Sequence, residues 1–143
     1  MSHDALAVAT HGPGLYEVTD RVDTFLRDAG LRNGVLVAHV RHTSCSLLVQ
    51  ENADPDVRVD LAAFLARLAP PADAPGMEWV THRMEGPDDM PAHIRATVLP
   101  TNLSIPVRDG RMVLGTWQGI YVVEHRTAPH RREVALCAMG DAS

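Results

Sequence analysis

Apolar residues in "TDRVDTFLRDAG" fall at Val22, Phe25, Leu26 and Ala29, the spacing of one helix face, so an amphipathic helix is expected there. Thr19 or Asp20 is its expected cap and Gly30 its stop. The period then changes: "GVLVAHVRH" is a β-branched run and "SLLVQE" a second, divided by "TSC", and both read as strands. "ADPDVRVDLAAFLARLAP" returns to helical spacing, with Asp54 as N-cap, Pro55 at the first position, and Val57, Leu61, Phe64, Leu65 and Leu68 on one face. The loop "APPADAPG" follows. Beyond it "MEWVTHRM" alternates as a strand, and "MPAHIRATVLP" makes a short helix entered at Pro91 and closed before Pro100. Asp109-Gly110 lies between two strand-like runs and predicts a tight hairpin, and "GIYVVEHR" and "REVALCAM" add two more strands. The sum is an α+β fold: one mostly antiparallel, β-sandwich-like domain over residues 1–143 with about three flanking helices.

Composition narrows the chemistry. The net charge of −5 and the scattered arginines give no field for a nucleic-acid backbone. No apolar run approaches bilayer length, and "MSHDALAVATHGPG" lacks the basic and apolar regions of a secretory leader, so no membrane contact and a cytoplasmic location are expected. Cys45 and Cys137 are far apart and form no CxxC, which argues for reduced thiols. All 13 basic residues are arginines. Schiff-base chemistry and a P-loop lysine are thereby excluded, and GxSxG, HExxH and GxGxxG are absent. Any chemistry must rest on His, Asp, Glu, Arg and hydroxyls.

Strand alternation places His42 at the end of the row Leu36, Ala38, Val40, with Thr43 and Ser44 beside it as hydroxyls that suit a phosphate or orient an imidazole. Such a histidine is more often a hydrogen-bonded rim residue than a ligand. Glu51 ends an otherwise apolar strand and needs a partner if buried; Asn52 follows it. In "HRMEGPDDMPAHI", His82 shares the expected strand face with Val80 and Met84, and His93 lies in the first turns of the helix that Asp88 and Asp89 can cap. Imidazoles with carboxylates suit zinc, manganese or iron, although the spacing of the two histidines matches no known metal motif. Glu124 and Arg126 share a strand face with Ile120 and Val122, either as a self-neutralising pair or as an acid/base and an anion binder. "GTWQG" sets Thr116 and Gln118 between two glycines, which suits either close ligand approach or a plain strand corner.

At "HTSCSLLVQENADPDV", "HRMEGPDDMPAHI" and "GTWQGIYVVEHR" the chain resembles the YjbQ family, also described as secondary thiamine-phosphate synthases, in three blocks spread over nearly its whole length. The resemblance implies a homotrimer with clefts between subunits and a low thiamine-phosphate synthase activity on a phosphorylated small-molecule substrate. It implies His42, His82 and His93 as ligands of a divalent metal ion, zinc or magnesium/manganese. It further implies Glu51, Asp88, Glu124 and Arg126 as catalytic groups, and Thr43, Ser44, Asn52, Thr116 and Gln118 as substrate contacts. Cys45 stands where an alanine is expected after "HTS", and being small it leaves that pattern intact. Two other readings use the same cleft: a non-catalytic trimer that binds a metal or phosphorylated metabolite, and a metal-dependent hydrolase.

Overall fold

In a computed structural model describing residues 1–142, strands β1 (Ser2–Thr10) and β2 (Gly14–Glu17) precede helix α1 (Thr19–Ala29). Then come β3 (Asn33–Val40), β4 (Cys45–Glu51), α2 (Pro55–Leu68), α3 (Asp89–Val98), β5 (Asn102–Arg108), β6 (Arg111–Met112), β7 (Gln118–Glu124) and β8 (His130–Asp141). The strands form two sheets, ordered β1-β8-β3-β5-β6 and β2-β7-β4, and every pairing is antiparallel. The α+β expectation holds, with three helices.

Period-2 patterning explains the layers. Leu36, Ala38 and Val40 of β3 and Val134, Leu136 and Ala138 of β8 are all buried, as are Leu47 of β4 and Ile120 and Val122 of β7. These rows, with Val22, Phe25 and Leu26 of α1, make one continuous core. Strand β7 is buried at every position after Gln118. Its second face, carrying Tyr121 and Val123, lies beneath helices, and the Arg58 guanidinium of α2 sits 5.7 Å from the Tyr121 ring centre. The Asp109-Gly110 hairpin forms as expected, with positive φ at both residues, 52° and 77°.

Four local expectations are corrected. Residues 77–84 form turns rather than a strand. Their carbonyls find another partner: the Arg83 guanidinium donates to the backbone oxygens of Ala72, Met77 and Val80, which ties the loop to itself instead of to a sheet. His82 therefore lies in a loop, and Met84, 98% exposed, shares no strand face with the buried Val80. Helix α1 is capped at Val18 with no side-chain bond; Thr19 Oγ1 donates to Glu17 and accepts the Ile120 amide instead. Asp54 does cap α2 and Gly30 does close α1 in the left-handed conformation. Helix α2 buries only Leu65 fully, leaving Phe64 57% and Leu68 43% exposed, because it lies on the outside of the smaller sheet. Helix α3 begins at Asp89, two residues before Pro91, so Pro91 sits in its first turn, where a missing amide costs nothing.

Candidate functional site

The N-terminus of α3 meets the ends of β4 and β7, and there the polar residues converge. Asp89 and His93 are one turn apart on α3 and so project from the same helix face. His82 reaches them from the loop. The Nε2 atoms of His82 and His93 lie 2.7 and 3.1 Å from the same oxygen, Asp89 Oδ2. Among the described residues, these three offer ligand atoms all within 4.8 Å of one another.

The surrounding contacts fix this trio. His93 Nδ1 lies 3.0 Å from the Thr43 carbonyl, which only an N–H can satisfy, so a neutral His93 presents a lone pair at Nε2. That lone pair faces a carboxylate. Two acceptors at this distance require a proton or a cation between them. A ring nitrogen tied to a backbone carbonyl while the other points into a ligand set is also how metal-bound histidines are oriented. Arg126 occupies the far side: its Nη1 donates to Asp89 Oδ1 at 2.7 Å and its Nε to Asp88 Oδ2 at 2.8 Å. Asp88 also accepts from the Thr127 amide and hydroxyl. The hydrogen bond from Arg126, with those from Thr127, outweighs desolvation and holds the Asp88 carboxyl well below the usual range. For Asp89, burial pushes upward, but the His82 hydrogen bond and the charges of His93 and Arg126 prevail and lower it. Asp89 is thus a buried, ionised carboxylate with one oxygen anchored and the other turned to two imidazoles. Its side chain is 8% exposed, against 45% for His82 and 32% for His93, so the trio opens on one side.

Beside the trio lies a second, sealed network. Glu124 ends the inner face of β7 and is 1% exposed. Its partner is Arg132 on the inner face of β8, with Thr10 and the amides of His125 and Arg126 completing its hydrogen bonds. Burial raises the Glu124 carboxyl, and the Arg132 and Thr10 hydrogen bonds outweigh it, so the group is lowered. The sequence pairing of Glu124 with Arg126 is corrected: they meet only through the Arg126 backbone amide, and Arg126 spends its guanidinium on Asp88, Asp89 and the Glu85 carbonyl. With its carboxylate fully engaged, Glu124 holds the strand ends in place rather than exchanging protons.

His42 stands apart from the trio. Its Nε2 accepts the Glu133 amide at 2.8 Å, and Arg132 Nη1 lies 3.5 Å from its Nδ1. A metal-bound imidazole leaves an N–H, not a lone pair, at its other nitrogen, and a guanidinium is a poor neighbour for a cation. His42 therefore does not fit the ligand role the resemblance implies. Thr43 contributes its carbonyl, and Ser44 is held by Arg132 through both its hydroxyl and its carbonyl. The remaining expected residues sit at the opposite end of the smaller sheet. Glu51 pairs with Gln118 where β4 and β7 begin to separate, while Cys45 pairs with Glu124 at the other end. Those ends are about 20 Å apart at ~3.4 Å per residue. At the far end Asn52 Nδ2 donates to Glu17, Gln118 accepts the Gly115 amide, the Glu51 carbonyl accepts the Tyr121 hydroxyl, and Thr116 is exposed. Within one chain these residues do not join the histidines.

A family model described as "UPF0047 protein YjbQ-like" matches residues 4–141. The chain belongs to the YjbQ family. A UPF0047 protein of Synechocystis is 44% identical over 138 residues, covering 96% of this chain and 91% of that one. The YjbQ protein of Escherichia coli O157:H7 is 39% identical over 137 residues, covering 95% and 96%. Among solved structures, a hypothetical protein of Aeropyrum pernix K1 superposes with a TM-score of 0.88 at 31% identity, covering 99% of this chain and all of that one. A YjbQ/UPF0047 family protein of Clostridium acetobutylicum gives a TM-score of 0.84 at 28% identity, covering 95% and 99%. The family fold is therefore shared over nearly the full chain.

Two important residues escaped the sequence reading as site members. Asp88 and Asp89 together exceed what a helix cap needs, and it is the spacing of four between Asp89 and His93, the signature of a shared helical face, that singles out Asp89. Arg132 alternates with Val134, Leu136 and Ala138, which would have placed it on the buried face of β8 and in need of a carboxylate.

Proposed function

We propose that this YjbQ-family chain is a metal-assisted transferase with low thiamine-phosphate synthase activity, joining hydroxymethylpyrimidine diphosphate to a thiazole phosphate with release of pyrophosphate. The observation carrying the reading is the convergence of His82 Nε2 and His93 Nε2 on Asp89 Oδ2, with His93 oriented from behind by the Thr43 carbonyl. Two imidazoles and one carboxylate suit zinc or manganese better than magnesium. When bound, a divalent ion supplies positive charge to a departing diphosphate.

The chain's own residues do the positioning. Arg126 fixes Asp89 through Oδ1, so that Oδ2 stays available, and Thr43 fixes the His93 ring. In the reaction the bond between the pyrimidine methylene carbon and the diphosphate oxygen breaks, its electron pair leaving on the diphosphate. The thiazole nitrogen donates the pair that makes the new carbon–nitrogen bond. No lysine is required.

A homotrimer belongs to the same proposal. Val59, Phe64 and Leu68 of α2 are 64%, 57% and 43% exposed, a cost in water that association removes. A neighbouring subunit also offers a route for the Asn52, Thr116 and Gln118 end of one chain to reach the histidine end of another.

The test is formation of thiamine phosphate from the two substrates by purified protein, with and without a chelator, compared with His93→Ala. The expected result is a loss of roughly 100-fold or more in the variant with its circular dichroism unchanged. Equal activity in wild type and variant points to a contaminant or to a purely structural His93, and either ends the reading of this trio as the synthase site.

A further inference from the structure

Two donors converge on His42, and a neutral imidazole has one lone pair to offer. The Glu133 amide lies 2.8 Å from Nε2, and Arg132 Nη1 lies 3.5 Å from Nδ1. The shorter contact takes the lone pair, so Nδ1 carries the proton and faces the guanidinium donor to donor. Burial first, and the Arg132 charge second, lower the His42 basicity and keep the ring neutral. A third donor is close by: the Ser44 hydroxyl oxygen accepts from Arg132 Nη2 at 2.9 Å, which leaves its own proton to give. His42, Thr43, Ser44, Thr101 and Arg132 all line one open cavity of about 510 Å³.

Donors that face each other across a gap lack an acceptor. We propose that His42 Nδ1–H, Arg132 Nη1–H and the Ser44 hydroxyl form an oxyanion subsite that binds a phosphoryl group of the substrate. Arg132 is built for the task, since Glu124 takes its Nε and Nη2 edge and thereby aims Nη1 at the cavity. Arg132 is 3% exposed and Glu124 1%, so this orientation is locked by burial. The subsite adjoins the His82–Asp89–His93 trio through a single residue, because the Thr43 carbonyl between His42 and Ser44 accepts His93 Nδ1–H. As a site for a substrate's phosphoryl group it rests on the reading above, but its existence does not depend on a metal.

The experiment uses full-length, isotope-labelled protein kept metal-free with a chelator. It is titrated separately with inorganic phosphate, pyrophosphate and chloride while the imidazole nitrogens are followed by NMR. The His42 Nδ1 resonance should shift saturably with phosphate or pyrophosphate and not with chloride at equal ionic strength. Tighter binding of pyrophosphate assigns the subsite to a diphosphate, and tighter binding of phosphate to a monophosphate; both uphold it. Arg132→Lys should weaken binding by about tenfold, since an ammonium cannot serve Glu124 and the cavity with one planar fork. If that variant fails to fold, His42→Ala removes the Nδ1 donor without touching the buried pair and should weaken binding, read by calorimetry, to a similar degree. A His42 resonance unmoved by both phosphates, or His42→Ala binding them as wild type does, overturns the proposal. Because no metal is present, failure here leaves the metal and synthase reading standing. Failure of the His93→Ala assay likewise leaves this subsite standing.

Discussion

His125 is sealed at the end of β7, with its Nε2 2.9 Å from the Ser46 hydroxyl and its carbonyl held by Arg95. Burial, reinforced by the Arg95 charge, lowers its basicity from near 6.5 to about 4. The unfolded chain therefore binds a proton between these values that the folded chain refuses, so the stabilising contribution is complete above pH 6.5 and is lost as pH falls toward 4. The expected loss is up to about 3 kcal/mol. Urea unfolding as a function of pH should show it, and His125→Asn, which keeps a partner for Ser46, should flatten that decline. Parallel pH profiles for the two proteins would argue against it. The neighbouring Glu124–Arg132 pair gives a second residue-scale expectation. Arg132→Met leaves a buried carboxylate unpaired and should cost about 3–5 kcal/mol in the same assay. Neither pairing was legible in the sequence, although alternation puts Arg132 on the buried face of β8. Glu124 could be placed at the end of a buried face by alternation, but its partner lies on the other sheet, eight residues away in sequence and across the core in space.

At the scale of elements, strand and helix periods carried most of the fold. Helix α1, the inner rows of β3 and β7 and the Asp109-Gly110 hairpin follow directly from local patterning. Residues 77–84 misled because alternation alone does not make a strand: Arg83 offers the loop carbonyls three charged hydrogen bonds that compete with any ladder. Strands β1 and β2 lay ahead of the first expected element; β1 gains its place by pairing with β8 along its length, a contact only the folded chain reveals. One close approach was equally hidden. Gly34 of β3 lies opposite Gly140 of β8, and a Cβ on Gly34 would come 2.0 Å from the Met139 carbonyl oxygen. Because that neighbour is backbone, Gly34→Ala should destabilise the protein by on the order of 3 kcal/mol. Gly119→Ala, whose Cβ would meet Glu17 Oε2 at 2.6 Å, Asn52 Nδ2 at 2.9 Å and Asn52 Cβ at 3.1 Å, should cost less, since the two nearest atoms are side-chain ends that can swing aside. Unfolding midpoints that rank the two substitutions in the opposite order would contradict this account of the β3–β8 approach.

For the whole molecule, the family blocks give residues that fall at two ends of the smaller sheet, with Glu51 and Gln118 at one and the trio of His82, Asp89 and His93 at the other. Periodicity shows which face a residue takes but not which subunit completes a site. If the proposed trimer joins the two ends, a mixture of His93→Ala and Gln118→Ala chains, unfolded and refolded together, should regain synthase activity that neither variant has alone. No recovery would mean that each site is built from one chain. The central claim is narrower and can be tested more directly: His82, Asp89 and His93 hold a divalent cation. The measurement is metal analysis of untagged protein followed by diffraction at the absorption edge of the metal found. The account predicts one anomalous peak between His82 Nε2, His93 Nε2 and Asp89 Oδ2, lost in Asp89→Asn. Protein that stays metal-free after supplementation with zinc and manganese, with both imidazoles still hydrogen-bonded to Asp89, would contradict it.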